Sequence, residues 1–164
     1  MHRFGTAVLL SAALGSVHAG TQVPVAAIET VSAYSRAVRE ADCPEVIRLS
    51  GVLARHPEDT EDLCATYREW KQRGLVERLR APSAFLSSGQ DRLVVVPNSR
   101  IGITNGRPMI NNGVYLAYSR DAGRAWKVID ISCDHLEDWV RAVYPAYDGH
   151  PAFIASVDRP AANR

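Results

Sequence analysis

Residues 92–131 decide the fold, and they read RLVVVPNSRIGITNGRPMINNGVYLAYSRDAGRAWKVIDI. Short runs rich in β-branched and aromatic residues alternate there with Gly, Pro and Asn, which is the pattern of antiparallel strands joined by turns. The predicted strands are 92–96, which ends at Pro97, the alternating residues Ile101 and Ile103, 114–118 and 126–131.

Turn residues fall between these strands. Asn105-Gly106 predicts a two-residue hairpin, because both central positions of a type I′ turn need a positive φ. Asn111-Asn112-Gly113 predicts a second reversal of the chain. One more short strand is predicted upstream, at 75–79. The second half of the chain is therefore expected to form a meander of antiparallel strands.

The first half of the chain carries helical signals. Its apolar residues recur at three- and four-residue spacing, which is typical of a helix with one buried face. They are Val25, Ile28, Val31, Tyr34 and Val38. Asp42, Pro44 and Glu45 then supply an N-cap, an early proline and an acidic first turn, so a second, shorter helix is predicted through about Leu53.

Two further helices are predicted. The third is capped by Asp59 or Thr60 and ends at Gly74, since glycine suits the left-handed position after a helix. Its apolar stripe consists of Leu63, Tyr67 and Trp70, and a last helix spans 134–144. Helices followed by a strand meander indicate the α+β class. We expect N-terminal helices packed on one curved antiparallel sheet, whose concave face forms the core or a pocket, and a C-terminal helix.

The N-terminus has the three parts of a secretory signal peptide. His2 and Arg3 form a short basic region, residues 7–14 are nearly all apolar, and small residues lead to Ala19, after which cleavage is predicted. The segment is too short to cross a bilayer, which takes about 20 apolar residues. The expected organisation is a signal peptide at 1–19, a single domain at 20–150 and a loosely ordered tail at 151–164. The mature protein is thus expected to be periplasmic or secreted, without membrane insertion.

The charge balance argues against two classes of partner. The chain has 164 residues, with 19 basic and 18 acidic side chains. Signal cleavage would remove Arg3 and leave 18 of each sign. A net charge near zero provides no long-range field that attracts nucleic acid or anionic membranes. No cofactor is expected, and no metal, because the cysteines have neither CxxC nor HxxxH spacing.

Three cysteines remain in the mature chain: Cys43, Cys64 and Cys133. Secreted proteins usually oxidise their cysteines, so an odd number implies one disulfide and a leftover thiol, or none. Three single pairings are open. Cys43 and Cys64 lie in consecutive predicted helices and would close a short loop, so this pair is the predicted disulfide.

The order of elements from about 24 to 132 resembles the cone of the nuclear transport factor 2-like superfamily. That resemblance is topological: a long first helix, two shorter ones and a strongly bent sheet. In enzymes of that superfamily, polar residues inside the cone do acid–base work. Here Asp130 is the one strand carboxylate with apolar neighbours. If it faces the same way as Val128, it could line a cavity and have a raised pKa. More often such an aspartate pairs with an arginine or lies at the rim of the sheet.

Residues 119–126, SRDAGRAW, match the pattern S-x-D-x-G-x-x-W and resemble the Asp-box of sialidases and other β-propellers. The motif there is a hairpin turn in which the aspartate accepts backbone N–H groups and the tryptophan packs beneath. The resemblance implies structural roles for Ser119, Asp121, Gly123 and Trp126. One copy is too few for a propeller, so sialidase activity is not implied. Residues 92–147 also resemble the C-terminal part of small bacterial secreted proteins with no assigned activity.

Candidates for catalysis are few. Cys133-Asp134-His135 places a thiol, a carboxylate and an imidazole in one tripeptide, but adjacent residues point in different directions. Asp134 is better explained as the N-cap of the last helix. No catalytic residue is therefore predicted, and whether the protein is an enzyme stays open.

Two functions are compatible with the sequence. The first is a non-catalytic periplasmic binding protein, such as an inhibitor or immunity protein that binds a secreted toxin or an envelope-active hydrolase. Its predicted binding residues are Tyr118, Arg120 and Arg124, since tyrosine and arginine often carry interface energy. The alternative is a small-molecule binding or enzymatic nuclear transport factor 2-like module with an apolar pocket. A cone filled by side chains favours the first, and an open cavity with a carboxylate at its base favours the second.

Overall fold

The computed structural model describes residues 18–19, 22–51, 60–104 and 107–132. Within these ranges the helices are α1 (Val25–Glu40), α2 (Cys43–Leu49) and α3 (Thr60–Gln72). The strands are β1 (His18–Ala19), β2 (Val76–Leu79), β3 (Ala84–Ser88), β4 (Asp91–Thr104), β5 (Arg107–Ser119) and β6 (Lys127–Ser132). The predicted α+β class is confirmed: helices pack against an open antiparallel sheet.

The predicted apolar stripe forms most of the buried face of α1. Val31, Tyr34 and Val38 are buried, whereas Val25 is exposed because it lies in the first turn, at the edge of the core. The residue after the helix is Ala41, whose φ of 53° is left-handed. The chain can therefore turn sharply into α2.

The second helix begins as its sequence predicts. Asp42 caps it through a hydrogen bond that its Oδ1 accepts from the backbone N–H of Glu45 at 3.3 Å. The predicted end at about Leu53 is wrong, because α2 ends at Leu49. Ser50 leaves the helix and forms a parallel bridge with Val128. Pairing with the edge of the sheet thus stops the helix early.

The sheet has the strand order β1-β3-β4-β5-β6, and β2 pairs with the remaining length of β4. Its centre is the long hairpin of β4 and β5, in which Thr104 is opposite Arg107. This register leaves two residues for the connection, as expected for a hairpin at Asn105-Gly106, which itself lies outside the described residues. Strand β3 has no counterpart among the sequence predictions.

The prediction that a strand ends at Pro97 is wrong, because β4 runs on to Thr104. Along one edge, β4 pairs with β3 as far as Val95 and with β2 from Asn98, so Pro97 falls in the gap between the two. A proline, which lacks an N–H, is tolerated where no neighbouring strand needs that donor. Its carbonyl oxygen still accepts the N–H of Arg80 at 2.9 Å.

The predicted reversal at Asn111-Asn112-Gly113 is also wrong, because β5 passes straight through these residues. Gly113 is opposite Asn98, and a Cβ at Gly113 would lie 2.7 Å from the Asn98 Oδ1. The glycine is therefore required by a close approach between strands and not by a turn. The side-chain amide of Asn98 is buried and makes no hydrogen bond with any residue that the structure describes.

Both faces of the sheet carry buried apolar side chains, since successive strand residues point to opposite faces. The helix-facing side contributes Val94, Val96, Tyr115, Ala117 and Val128 to one core with Val31, Tyr34, Val46 and Tyr67 of the helices. The opposite face carries Leu86, Leu93, Val95, Val114, Leu116, Ile129 and Ile131, which are buried as well.

The predicted disulfide joins Cys43 at the start of α2 to Cys64 in α3, with the Cα atoms 5.8 Å apart. A disulfide is compatible with the oxidising environment expected for an exported protein. None of the described helices is long and apolar enough to cross a membrane. The predicted helix at 134–144, Cys133 and the tail at 151–164 lie outside the described residues.

Candidate functional site

A group of polar side chains lies on the helix-facing side of the sheet. Glu77 of β2 is opposite Arg100 of β4, and Tyr115 of β5 is opposite Asp130 of β6. Ser35 reaches the same group from α1. These five residues are called the charge cluster below.

Hydrogen bonds connect all five residues of the charge cluster. Arg100 donates through Nε to the Glu77 Oε1 at 3.0 Å, and through Nη2 to the Asp130 Oδ2 at 2.5 Å and the Tyr115 hydroxyl at 3.0 Å. The Tyr115 hydroxyl donates onward to the Glu77 Oε1 at 2.6 Å. Ser35 donates to the other Glu77 oxygen at 2.5 Å. The Glu77 carboxylate is thus held by three donors from three different elements.

The charge cluster contains two carboxylates and a single guanidinium. The side chains of Glu77, Arg100 and Asp130 are 1%, 11% and 19% exposed. Burial raises the pKa of Asp130, although the charge and the hydrogen bond of Arg100 act in the opposite direction. Asp130 therefore has a raised pKa and an arginine partner, Arg100.

Three buried tyrosines lie in the core between the helices and the sheet, and one of them, Tyr115, belongs to the charge cluster. Tyr34 packs edge-on against Tyr115 with ring centroids 5.3 Å apart, and its hydroxyl lies 3.4 Å from that of Tyr67. Burial, followed by the charge of Asp130, raises the pKa of Tyr67 to about 12. Burial also raises the pKa of Tyr34 and Tyr115 well above the usual value. All three phenols stay protonated at neutral pH, so they can donate hydrogen bonds but not serve as bases.

A pocket of ≈ 130 Å³ opens beside Arg100. Its lining residues are Trp70, Arg73, Leu75, Arg100, Gly102, Ile103 and Asn111. The guanidinium carbon of Arg100 lies 4.9 Å from the ring centroid of Trp70, a cation–π distance. Pockets for drug-sized ligands usually measure about 300–1,000 Å³. This one therefore has room for a single side-chain-sized group.

Exposed apolar residues lie at the same end of the sheet as the pocket. Val76, Ile103 and Ile110 are 50%, 66% and 63% exposed. Val76 is opposite Ile101, Ile101 is opposite Ile110, and Ile103 is two residues further along β4, so these side chains share one face. Val76, Ile103 and Ile110 are called the apolar tip below. Clustered exposed apolar side chains are typical of interaction sites, whereas scattered ones need no explanation.

The SRDAGRAW segment forms a tight turn between β5 and β6. The Asp121 Oδ1 accepts the backbone N–H groups of Arg124 and Ala125, both at 3.0 Å, and the Ser119 hydroxyl donates to the same oxygen. Gly123 has a φ of 92°. The buried Trp126 ring lies beneath Gly123 and donates from Nε1 to its carbonyl at 3.0 Å. Contacts among Ser119, Asp121, Gly123 and Trp126 thus hold the turn together.

The three predicted binding residues lie beside this turn. Arg120 and Arg124 have exposed side chains, but Tyr118 is half-buried, and its hydroxyl donates to the carbonyl of Gly51 at 3.4 Å. About eight residues of extended β5, or roughly 26 Å, separate the turn from Asn111 at the pocket. The turn and the pocket are therefore two different surfaces.

Sequence reasoning missed Glu77, Arg100 and the pocket. The position of Arg100 could have been inferred from the alternation of side chains along β4. Every second residue from Val94 points to the helix-facing side, so Arg100 follows Val94 and Val96 on that side. Ending the strand at Pro97 broke that series.

Among the described residues, no group of three or more His, Cys, Asp and Glu side chains is placed to hold a metal ion. The tripeptide Cys133-Asp134-His135 lies outside those residues. Comparisons with protein-family models, with curated protein sequences and with solved structures find no match. The class of the protein is thus defined by its own architecture, an α+β domain with helices packed against an open antiparallel sheet.

Proposed function

We propose that the mature chain is a non-catalytic binding protein of the periplasm or the extracellular space. It holds a protein partner and does not turn over a substrate. The partner belongs to the class expected for small exported domains of this kind, an envelope-active enzyme or a secreted toxin, and the protein acts on it as an inhibitor or immunity protein. The domain is proposed to be a nuclear transport factor 2-like cone, a proposal supported by the long α1, the two shorter helices and the strand meander that follows.

One observation carries the binding proposal: the apolar tip and a small pocket lie at the same end of the sheet, next to the turn of the β4–β5 hairpin, with Val76 and Ile110 on the face opposite to Arg100 and Asn111. Ile103 belongs to both. Protein interfaces typically combine an apolar patch with a pocket that takes one anchoring side chain of the partner. The pocket is small compared with the sites that hold drug-sized ligands, and buried tyrosines pack between the helices and the sheet behind it. An accessible apolar patch thus supports protein binding better than it supports chemistry on a small molecule.

The proposal is tested by capture of partners from envelope extract with the mature protein as bait. Ile103→Lys and Ile110→Lys should each abolish the capture that wild-type protein shows, because a charge on the apolar tip would be desolvated in the complex. Val25→Lys is the matched control, since Val25 is equally exposed but lies in the first turn of α1. Equal capture by all three variants and the wild type would contradict docking at the apolar tip.

Arg120→Ala and Arg124→Ala test the second surface, the SRDAGRAW turn. If only these variants lose the partner, the function is still protein binding, but the docking surface is the turn and not the apolar tip. Circular dichroism and thermal melting of every variant exclude loss of the fold as the cause.

The alternative is a small-molecule module, and one observation favours it. Asp130 has a raised pKa, and its partner Arg100 also lines the pocket. A carboxyl with a raised pKa at a pocket is a common arrangement for acid–base chemistry. Turnover of a small molecule by the purified protein, abolished by Asp130→Asn and retained in the surface control Asp62→Asn, would overturn the binding proposal.

A further inference from the structure

Among the described residues, the pocket beside Arg100 is lined by hydrogen-bond donors and by no carboxylate. Arg73, Arg100 and Asn111 supply its polar groups, and the remaining lining residues are apolar or aromatic. The carboxylates nearest in the network, Glu77 and Asp130, belong to the charge cluster and are not part of the lining. A group that enters the pocket therefore meets guanidinium and amide donors.

Arg100 retains donor capacity after its bonds within the charge cluster are counted. Those bonds use Nε and Nη2, and no bond within the described part of the chain uses Nη1. An arginine carries five N–H donors in a planar fork that suits the two oxygens of a carboxylate. Arg100 is also held in place, because two carboxylates and the ring of Trp70 fix its orientation.

Arg73 supplies the second guanidinium of the pocket, and its ion pair with Glu69 is weak. It pairs with Glu69 one helical turn earlier, and both side chains are more than half exposed. Ion pairs with this exposure contribute little, because water and salt screen them. Arg73 can thus exchange Glu69 for an anion in the pocket at low cost.

The apolar part of the pocket suits a methylene group or a flat ring. The indole of Trp70 forms one wall, and Leu75 packs against the backbone at Gly102, where a Cβ would lie 2.9 Å from the Leu75 Cδ1. A dry cavity of about 150 Å³ is known to hold a benzene ring, so a pocket of ≈ 130 Å³ admits a group of similar or smaller size.

From these features we propose that the pocket binds a carboxylate carried on a side-chain-sized group. The biological meaning of this inference rests on the proposed function. In the complex with the protein partner, the ligand is an acidic side chain or the C-terminal carboxylate of that partner, inserted between Arg73 and Arg100. Of the apolar tip, Ile103 lies at the point of entry. Glu77 and Asp130 offset most of the positive charge, so recognition depends on hydrogen-bond geometry more than on long-range attraction, and a free carboxylate binds weakly.

Free carboxylates provide the test, without any knowledge of the partner. The indole N–H signal of Trp70, assigned by its absence from Trp70→Phe, is followed by NMR while benzoate is added to the mature protein. We expect a saturable shift of this signal, and binding of benzyl alcohol, which has the same ring without the charge, about tenfold weaker. Arg73→Gln should weaken benzoate binding by about tenfold, whereas Arg68→Gln, an exposed arginine of α3 outside the pocket, should leave it unchanged.

The proposal is overturned if benzoate gives no saturable shift, if benzyl alcohol binds as well as benzoate, or if Arg68→Gln weakens binding as much as Arg73→Gln. Acetyl-aspartate amide and acetyl-glycine then distinguish an acidic side chain from a chain terminus, according to which binds more tightly. Failure of this inference differs from failure of the proposed function. Benzoate binding that persists while Ile103→Lys and Ile110→Lys retain full partner capture would disprove docking at the apolar tip but not the carboxylate site.

Discussion

Asp130 lies where buried negative charge exceeds buried positive charge. It shares the guanidinium of Arg100 with Glu77, and burial raises its pKa. A carboxyl whose pKa is raised in the folded state binds its proton more tightly there than in the unfolded chain. It therefore destabilises the fold above the folded-state pKa. That penalty disappears as the pH falls from there toward the ordinary value of 3.8.

Asp130→Asn should remove this pH-dependent penalty. We expect its free energy of unfolding at pH 7, from urea titration, to match or exceed that of the wild type, and its decrease with rising pH above 3.8 to become shallower. Glu77→Ala is the contrasting variant and should cost about 3–5 kcal/mol, because it leaves the donors of Ser35, Tyr115 and Arg100 without their acceptor. A loss at pH 7 in Asp130→Asn as large as in Glu77→Ala would contradict this account.

Some residues of the candidate site could be predicted from the sequence, and others could not. Asp130 could be singled out because a carboxylate among apolar strand residues is unusual. Its raised pKa and its arginine partner are two of the environments considered for it. The identity of that arginine could not be predicted. It depends on the register of β4 against β5, and the polar run around Arg100 resembles a loop when taken alone.

The turn between β5 and β6 is an element whose role follows from local chemistry. Most of its hydrogen bonds run within eight residues, although the backbone N–H of Ala122 donates to the carbonyl of Gln90 at 2.8 Å. The Asp121 carboxyl has a lowered pKa because the Ser119 hydroxyl and the backbone N–H groups of Ala125 and Arg124 all donate to it. A local pattern of this kind can be recognised without knowledge of the rest of the fold.

Trp126→Ala should lower the free energy of unfolding by about 3–5 kcal/mol, because the ring is buried beneath the turn and its removal leaves a cavity. Asp121→Ala should lower the melting temperature by a smaller amount, since two backbone N–H groups lose their acceptor. Arg124→Ala, whose side chain is exposed, serves as the control. Melting temperatures of Trp126→Ala and Arg124→Ala that agree with each other would refute a structural role for the ring.

Strands β4 and β5 show why the ends of strands are harder to predict than the strands themselves. Proline and glycine are common at chain reversals, so local preference predicts a strand end at Pro97 and a turn at Gly113. Their actual positions depend on partners distant in sequence: a gap between β2 and β3 beside Pro97, and the side chain of Asn98 opposite Gly113. Such tertiary contacts override local preference, and a single sequence does not contain them in readable form.

For the molecule as a whole, the layer arrangement was predictable and the site was not. Periodicity assigned helices to the first half and strands to the second, which suffices for an α+β architecture. The pocket, in contrast, combines the end of α3 with residues of β4 and β5, and only the packed structure brings these together. Hypotheses based on motifs accordingly favoured the turn, which is the more recognisable surface.

The disulfide between Cys43 and Cys64 should stabilise the whole molecule. It joins positions 21 residues apart, and closing a loop of this length contributes roughly 3 kcal/mol, mainly by restricting the unfolded chain. The double variant Cys43→Ala/Cys64→Ala should therefore unfold at lower urea concentration than the oxidised wild type and show no response to reductant. Identical urea midpoints for the two proteins, or a non-reducing peptide map that places Cys133 in the bond, would contradict this expectation.

Strand β1 has a consequence for how the protein matures. It consists of His18 and Ala19, which pair with β3 and are also the last two residues of the predicted signal peptide. Cleavage after Ala19 would remove this strand together with the export signal and leave β3 as an edge without its neighbour. An open edge is a template on which a second chain can add a strand.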